Sequence, residues 1–172
     1  MKNPYVQLAK MAVEKYVKEG KIINPPKDLP EDFFKQRCGV FVSIHKGKEL
    51  RGCIGTYLPT KENLAKEIIS NAISATKDPR FSPIQPEELP YLSYEVYLLE
   101  KPEPVKSIKE LNPKKYGILV QSPPYKSGLL LPDLEGIDTP EKQILIACYK
   151  AGIDPQKEAF LIYRFKAKKY SS

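Results

Sequence analysis

Apolar and polar positions along this chain follow two periods, and each predicts its own elements. From Pro4 onward Tyr5, Leu8, Ala9, Ala12, Val13, Tyr16 and Val17 recur at helical spacing, with Asn3 placed to cap the first turn and Gly20 to end the last. That stripe predicts a core-facing helix. Residues 21–29 read as a proline-containing loop, and residues 30–36 have room for one short helical turn.

The period then changes to two. "GVFVSIH", "KGK" and "ELRGCIGT" predict a hairpin. A three-residue loop pairs His45 with Glu49. It sorts Val40, Val42, Ile44, Leu50 and Ile54 onto one apolar face and Phe41, Ser43, His45, Arg51 and Cys53 onto the other. A two-residue loop mixes the two sets, so three is the expected length.

A second helix is expected from Thr60, with Leu64, Ala65, Ile68, Ile69, Ala72 and Ile73 on its buried stripe and Asp78-Pro79 at its end. Prolines at 79, 83, 86 and 90 predict an irregular connection over residues 78–90. "LSYEVYLL" is the next strand, with Leu92, Tyr94, Val96 and Leu98 on one face and Ser93, Glu95, Tyr97 and Leu99 on the other. "YGILVQ" and "GLLL" form a second hairpin around "SPPYKS". Thr139-Pro140 opens a third helix carrying Ile144, Leu145, Cys148 and Ala151, ended by Gly152, and "AFLIYRF" is the last strand. Hairpins set apart from about three main helices, without βαβ alternation, predict an α+β fold with antiparallel sheets in one domain.

Composition narrows the picture. A length of 172 residues with 41% hydrophobic content suits one core. No apolar run approaches the ~20 residues that cross a bilayer, and residues 1–10 lack the apolar core of a signal peptide. A cytoplasmic protein without membrane contact is expected. The net charge of +7 favours an anionic partner, although the basic tail of Arg164, Lys166, Lys168 and Lys169 reads as a solvated end. Cys38, Cys53 and Cys148 are widely spaced, with His45 as the one histidine. That pattern predicts neither a disulfide scaffold nor a metal site, and no cofactor. Seventeen prolines with few His, Cys and Met hint at a thermophile.

The candidate chemistry centres on "LRGCIGT". In a strand, side chains two apart share a face about 6.6 Å apart, so Arg51 is expected beside Cys53, where a guanidinium favours a thiolate. Gly52 and Gly55 leave the backbone open to close approach. The structural alternative has the glycines marking a bulge, Arg51 paired with a carboxylate such as Glu95, and Cys53 merely buried. His45 lies roughly 13 Å along the strand from Cys53 and is excluded as its base. Any base is then a carboxylate such as Glu95 or Asp78, or water. In "KDPRFSP", Asp78 turns or caps the chain, Arg80 offers a fork for carboxylate or phosphate, and Phe81 supplies a flat apolar surface. Equally, this stretch is a helix stop with an anchoring aromatic. Glu95 is either an arginine partner or a general base.

These residues resemble the AMMECR family. "LRGCIGT", with its RGCIG core, is close to the family signature, and "DPRFSP", "YEVYLL", "YGILV", "GLLLP" and "KAGI" follow in the family's order over nearly the whole chain. The resemblance implies one AMMECR-type domain over residues 1–172, in two lobes, with a site in the cleft between them. It places Arg51, Gly52, Cys53 and Gly55 in the signature, Asp78, Arg80 and Phe81 in the second motif, and Glu95 as the acidic residue of the following strand. It implies association with Memo-type and radical-SAM proteins and names no reaction. The segment after "GLLLP" is short here and tryptophan is absent, both departures from the family's pattern.

Two functions are therefore carried forward. One is a basic, glycine-lined binding module around Cys53 for an anionic ligand or protein segment, acting with partner proteins. The other is a cysteine-dependent enzyme with Cys53 as nucleophile or redox thiol on a small or nucleotide-like substrate. The sequence shows neither an aromatic-basic RNA motif nor a helix-turn-helix, so nucleic acid ranks below protein or small ligand.

Overall fold

In a computed structural model, which describes residues 2–172, helix α1 runs over Pro4–Glu19 between the expected signals. Asn3 Oδ1 accepts hydrogen bonds from the Tyr5 and Val6 amides at 2.9 and 3.2 Å. Gly20, at φ 68°, closes the last turn onto the Tyr16 carbonyl. The short helix α2, Asp32–Lys35, follows.

The chain divides into two units, one of residues up to Leu99 together with Lys168–Ser172, the other Glu100–Ala167. In the first, strands β1 (Gly39–Lys46), β2 (Glu49–Thr56), β3 (Leu92–Leu99) and β8 (Ala167–Ser171) form one sheet in the order β2-β1-β3-β8. Helix α1 and helix α3 (Leu64–Ala75) contribute Leu8, Ala12, Ile68 and Ala72 to a core that includes Val40, Val42, Ile44, Tyr94 and Val96 of the sheet. Tyr5 stacks on Phe33 with centroids 4.7 Å apart and meets Tyr170 at 4.6 Å.

The first hairpin corrects the expected register. Its loop is Gly47-Lys48, with Lys46 opposite Glu49 and His45 opposite Leu50. Gly47, at φ 64°, supplies the conformation that a two-residue hairpin turn takes at its first position. Arg51 is then an extra residue on β2, a bulge between the His45–Leu50 and Ile44–Gly52 pairs. Beyond it Ser43 faces Cys53 and Val42 faces Ile54. The bulge restores the alternation that the shorter loop would have reversed, so Val40, Val42, Ile44 and Ile54 do share a face. Leu50 does not join them: it falls on the side of His45, 36% exposed.

Helix α3 begins at Leu64, capped by Asn63, four residues later than Thr60. The cause is Glu67, a buried carboxylate that accepts hydrogen bonds from the hydroxyls of Thr56 (3.1 Å) and Thr60 (2.7 Å) and from the amides of Thr60 and Lys61. These bonds hold residues 60–61 outside the helix. The connection read as irregular contains a 3₁₀ turn, Pro86–Tyr91. The basic tail is likewise more than a solvated end. Arg164 lies in the preceding strand, and Lys168 and Lys169 lie in edge strand β8, where they are exposed and fit the charged surface that edge strands carry.

The second unit pairs β4 (Glu103–Pro104), β7 (Leu161–Phe165), β5 (Gly117–Ser122) and β6 (Lys126–Leu130) in that order. Helix α4, Pro140–Ala151, closes a core of Ile118, Val120, Leu130, Ala147, Cys148 and Ile153. Gly128 lets β6 approach the Ala147 carbonyl, which centres the buried stripe of α4 on Ala147. Leu145 therefore faces solvent, 59% exposed, against expectation. Among the described residues no helix is long and apolar enough to cross a membrane.

Candidate functional site

Strand β2 is the outer strand of its sheet, and the segment after α3 meets its open edge. Gly52 makes the approach possible: a Cβ there would overlap the Ala75 carbonyl at the end of α3. Three residues further, Asp78 reaches the strand and accepts the Cys53 amide at 3.0 Å through Oδ2. Its Oδ1 accepts the Arg80 amide at 3.0 Å, a side-chain turn around Pro79.

Arg80 folds back on the same carboxylate. Its Nε donates to Oδ1 at 3.1 Å and its Nη2 to Oδ2 at 2.8 Å, while Nη2 also lies 3.4 Å from the Cys53 carbonyl. Asp78 and Arg80 thus present an acceptor and a donor to the outward N–H and C=O of Cys53, as a neighbouring strand would. The Asp78 side chain is 1% exposed and that of Arg80 54%. Burial alone would raise the Asp78 carboxyl, but the hydrogen bonds from Arg80 and the Cys53 amide outweigh it and hold it at about 2. The hydrogen-bonded Asp78 raises Arg80 in turn, with a smaller contribution from the nearby Cys53 sulfur. The Phe81 ring lies under the guanidinium, 5.4 Å from Cζ to centroid. The Ser43 hydroxyl donates to Cys53 Sγ at 3.1 Å.

Arg51 does something other than expected. As the bulge residue it turns to the 3₁₀ segment, forming a two-pronged pair with Glu88 at 2.8 and 3.0 Å and donating to the carbonyls of Ser82 (2.6 Å) and Pro83 (3.2 Å). Hydrogen bonds from Arg51 hold the Glu88 carboxyl at about 2 against a smaller opposing effect of burial. The guanidinium that sits against the cysteine is Arg80. The suggested pairing of Arg51 with Glu95 is also corrected: Glu95 is bound by Lys169 at 2.7 Å and faces His45 Nδ1 at 3.6 Å. It lies opposite Ser43, which lies opposite Cys53, so two strand spacings of about 4.8 Å separate it from the cysteine. Gly55 lies under the Phe41 ring, which occupies the space a Cβ would need.

The fold therefore gathers Gly52, Cys53, Asp78, Arg80 and Phe81, joins Arg51 to a separate clasp, and leaves Glu95 in a third cluster. Glu88 and Ser43 were not foreseen. Pro86 followed two residues later by Glu88 is the sequence signal for a helical start whose acid turns back, and Glu88 does accept the Gln85 amide at 2.8 Å. Ser43 opposite Cys53 becomes visible only with the two-residue loop and its bulge. Among the described residues no three His, Cys, Asp or Glu side chains gather as a metal site.

Fold and site define an α+β protein of two antiparallel sheets with a motif-bearing edge strand. The family model AMMECR1 matches residues 6–170, and the chain belongs to that family. It is similar to a protein of Thermotoga maritima, 52% identical over 170 residues, covering 98% of this chain and 97% of that one. A protein of Clostridium acetobutylicum is 43% identical over 171 residues, 96% of this chain and 36% of that longer protein. The crystal structure of uncharacterized protein PH0010 from Pyrococcus horikoshii matches with a TM-score of 0.91 at 34% identity, covering 98% of this chain and 89% of that one.

Proposed function

We propose that this AMMECR-family chain is a binding module in which Arg80, braced by Asp78 beside Cys53, recognises an anionic ligand or an acidic segment of a partner protein in the cytoplasm. The observation that carries the reading is the bracing itself. One edge of the guanidinium is held by Asp78 while 54% of the side chain stays exposed. With Nε and Nη2 engaged, the N–H groups of Nη1 face outward, and a guanidinium fixed in this way loses little freedom when they meet a carboxylate or phosphate. Asp78 offsets part of the charge, so recognition rests on directed N–H groups, with the net charge of +7 supplying longer-range attraction.

The enzyme reading keeps one supporting observation, the Ser43 hydroxyl donating to the Cys53 sulfur at 3.1 Å with the Arg80 guanidinium close by. It ranks second because Asp78 is ionised and already engaged by donors, and Glu95 lies two strand spacings from Cys53, which leaves neither carboxylate suited to take its proton.

The test is an NMR titration with inorganic phosphate and with an oligoglutamate peptide, following the Gly52–Gly55 amides and the Arg80 Nε–H. Saturable shifts there, weakened by salt and by Arg80→Gln and retained in Cys53→Ser, are expected. Silence at these groups with both probes, or loss of binding in Cys53→Ser, overturns the reading.

A further inference from the structure

A second concave surface lies in the first unit, away from the cysteine. The segment after α1 and the exposed side of α3 enclose a groove of about 320 Å³. Ile69 and Ile73, 3% and 6% exposed, form its apolar base, and Ile22 and Pro25 line it from the loop. Ile22 stands 71% exposed at the loop side of the groove, where its side chain is accessible to a ligand. Among the described residues, the charged side chains lining the groove are Lys61 and Lys66, both cationic.

The two lysines differ in their engagement. Lys66 Nζ is paired with Glu62 at 2.7 Å. No ion pair engages the Lys61 ammonium among the described residues, yet its backbone is fixed at both ends: the amide donates to Glu67 at 3.0 Å, and the carbonyl accepts Arg37 Nε at 3.0 Å. The buried Glu67 therefore holds a cation at the side of an apolar trough. Asn24, Ser70 and Ser74 complete the lining, and a groove that combines an isoleucine base with cationic charge matches a ligand with a hydrocarbon body and an anionic head.

We propose that this groove binds an aliphatic carboxylate of medium chain length, its chain along Ile22, Ile69 and Ile73 and its head on Lys61. The site is independent of Cys53 and Arg80, so the two readings fail separately. The test uses octanoate well below its micelle concentration, followed by calorimetry and by isoleucine methyl shifts. Saturable binding is expected, with shifts at the methyls of Ile22, Ile69 and Ile73. Hexanoate should bind about tenfold more weakly. Lys61→Gln should weaken octanoate about tenfold and leave octanol unchanged, while Ile22→Ser weakens both. Both substituted side chains are exposed, and circular dichroism confirms their folding. Octylamine binding as tightly as octanoate, Lys61→Gln without effect on octanoate, or shifts that never saturate overturns the proposal.

Discussion

Asp78→Asn perturbs the clasp at its centre. The native carboxylate receives the amides of Cys53 and Arg80 and two guanidinium donors, all between 2.8 and 3.1 Å. Asparagine offers one acceptor oxygen and one NH₂ group. Whichever way it turns, the NH₂ meets one backbone amide, that of Cys53 or of Arg80, and one guanidinium N–H, donor against donor. A hydrogen bond to a charged group contributes about 1.5–3 kcal/mol, and the half-exposed Arg80 recovers part of its loss from water. The expected destabilisation is about 2–4 kcal/mol. The depression of the carboxyl by its donors implies a similar figure: a fall from 3.8 to about 2 corresponds, at 1.36 kcal/mol per pKa unit, to about 2 kcal/mol.

The same shift fixes the pH window. Because the folded carboxyl titrates below its unfolded value, its contribution is full above about pH 4 and disappears as pH falls through about 2. Urea unfolding followed by tyrosine emission suits a chain with 11 tyrosines and no tryptophan. Wild type and Asp78→Asn should differ by about 2–4 kcal/mol at pH 7, and the gap should narrow toward pH 2. Amide exchange at Cys53 should also accelerate in the variant. A gap below about 0.5 kcal/mol at pH 7, within the range of an ordinary surface substitution, refutes the clasp; a gap unchanged down to pH 2 refutes its ionic basis.

Other substitutions probe neighbouring parts. Arg51→Lys replaces a planar fork by a point donor and should cost about 2 kcal/mol while returning the Glu88 carboxyl from about 2 toward its ordinary range; NMR titration of Glu88 checks this, and an unmoved carboxyl counts against it. Gly52→Ala drives a methyl into the Ala75 carbonyl and should destabilise by about 1–3 kcal/mol in a thermal melt, with an unchanged melt as the contrary result. Glu67→Ala removes the acceptor of the Thr60 and Lys61 amides and should cost about 2–4 kcal/mol; it should also weaken octanoate binding by loosening Lys61, and normal affinity in a demonstrably destabilised variant would separate the loop from the groove.

What the sequence revealed was set by how local each signal is. Helix α1 lies between Asn3 and Gly20, and α4 between Thr139 and Gly152, because caps act within a few residues. Strand β3 covers Leu92–Leu99 as the alternation predicts. Errors arose where a distant group intervened. Glu67 claims the amides that would have begun α3 at Thr60, and the bulge at Arg51 hides a two-residue loop behind faces that suit a three-residue one. Strand β8 escaped notice because its lysines resemble a solvated tail, and that is also how an edge strand protects itself. At the site, the pairing of Asp78 with Arg80 spans two residues and still could not be aimed at Cys53, since their meeting depends on how α3 ends at Gly52.

That dependence divides the signature by role. Gly52 admits the end of α3, the Cys53 backbone accepts the clasp, Asp78 closes it, and Arg51 ties the bulge to the 3₁₀ segment. Each of these residues has a place in the architecture that needs no ligand to explain it. The outer edge of the Arg80 guanidinium is different. Asp78 would be satisfied by its inner donors alone, and the fold gains little from leaving more than half of that side chain in water above Phe81. A second strand's peptide could have completed the β2 edge equally well. The clasp differs from such a peptide in carrying exposed guanidinium donors at the surface, and that difference is why the proposed recognition rests on Arg80 rather than on Arg51.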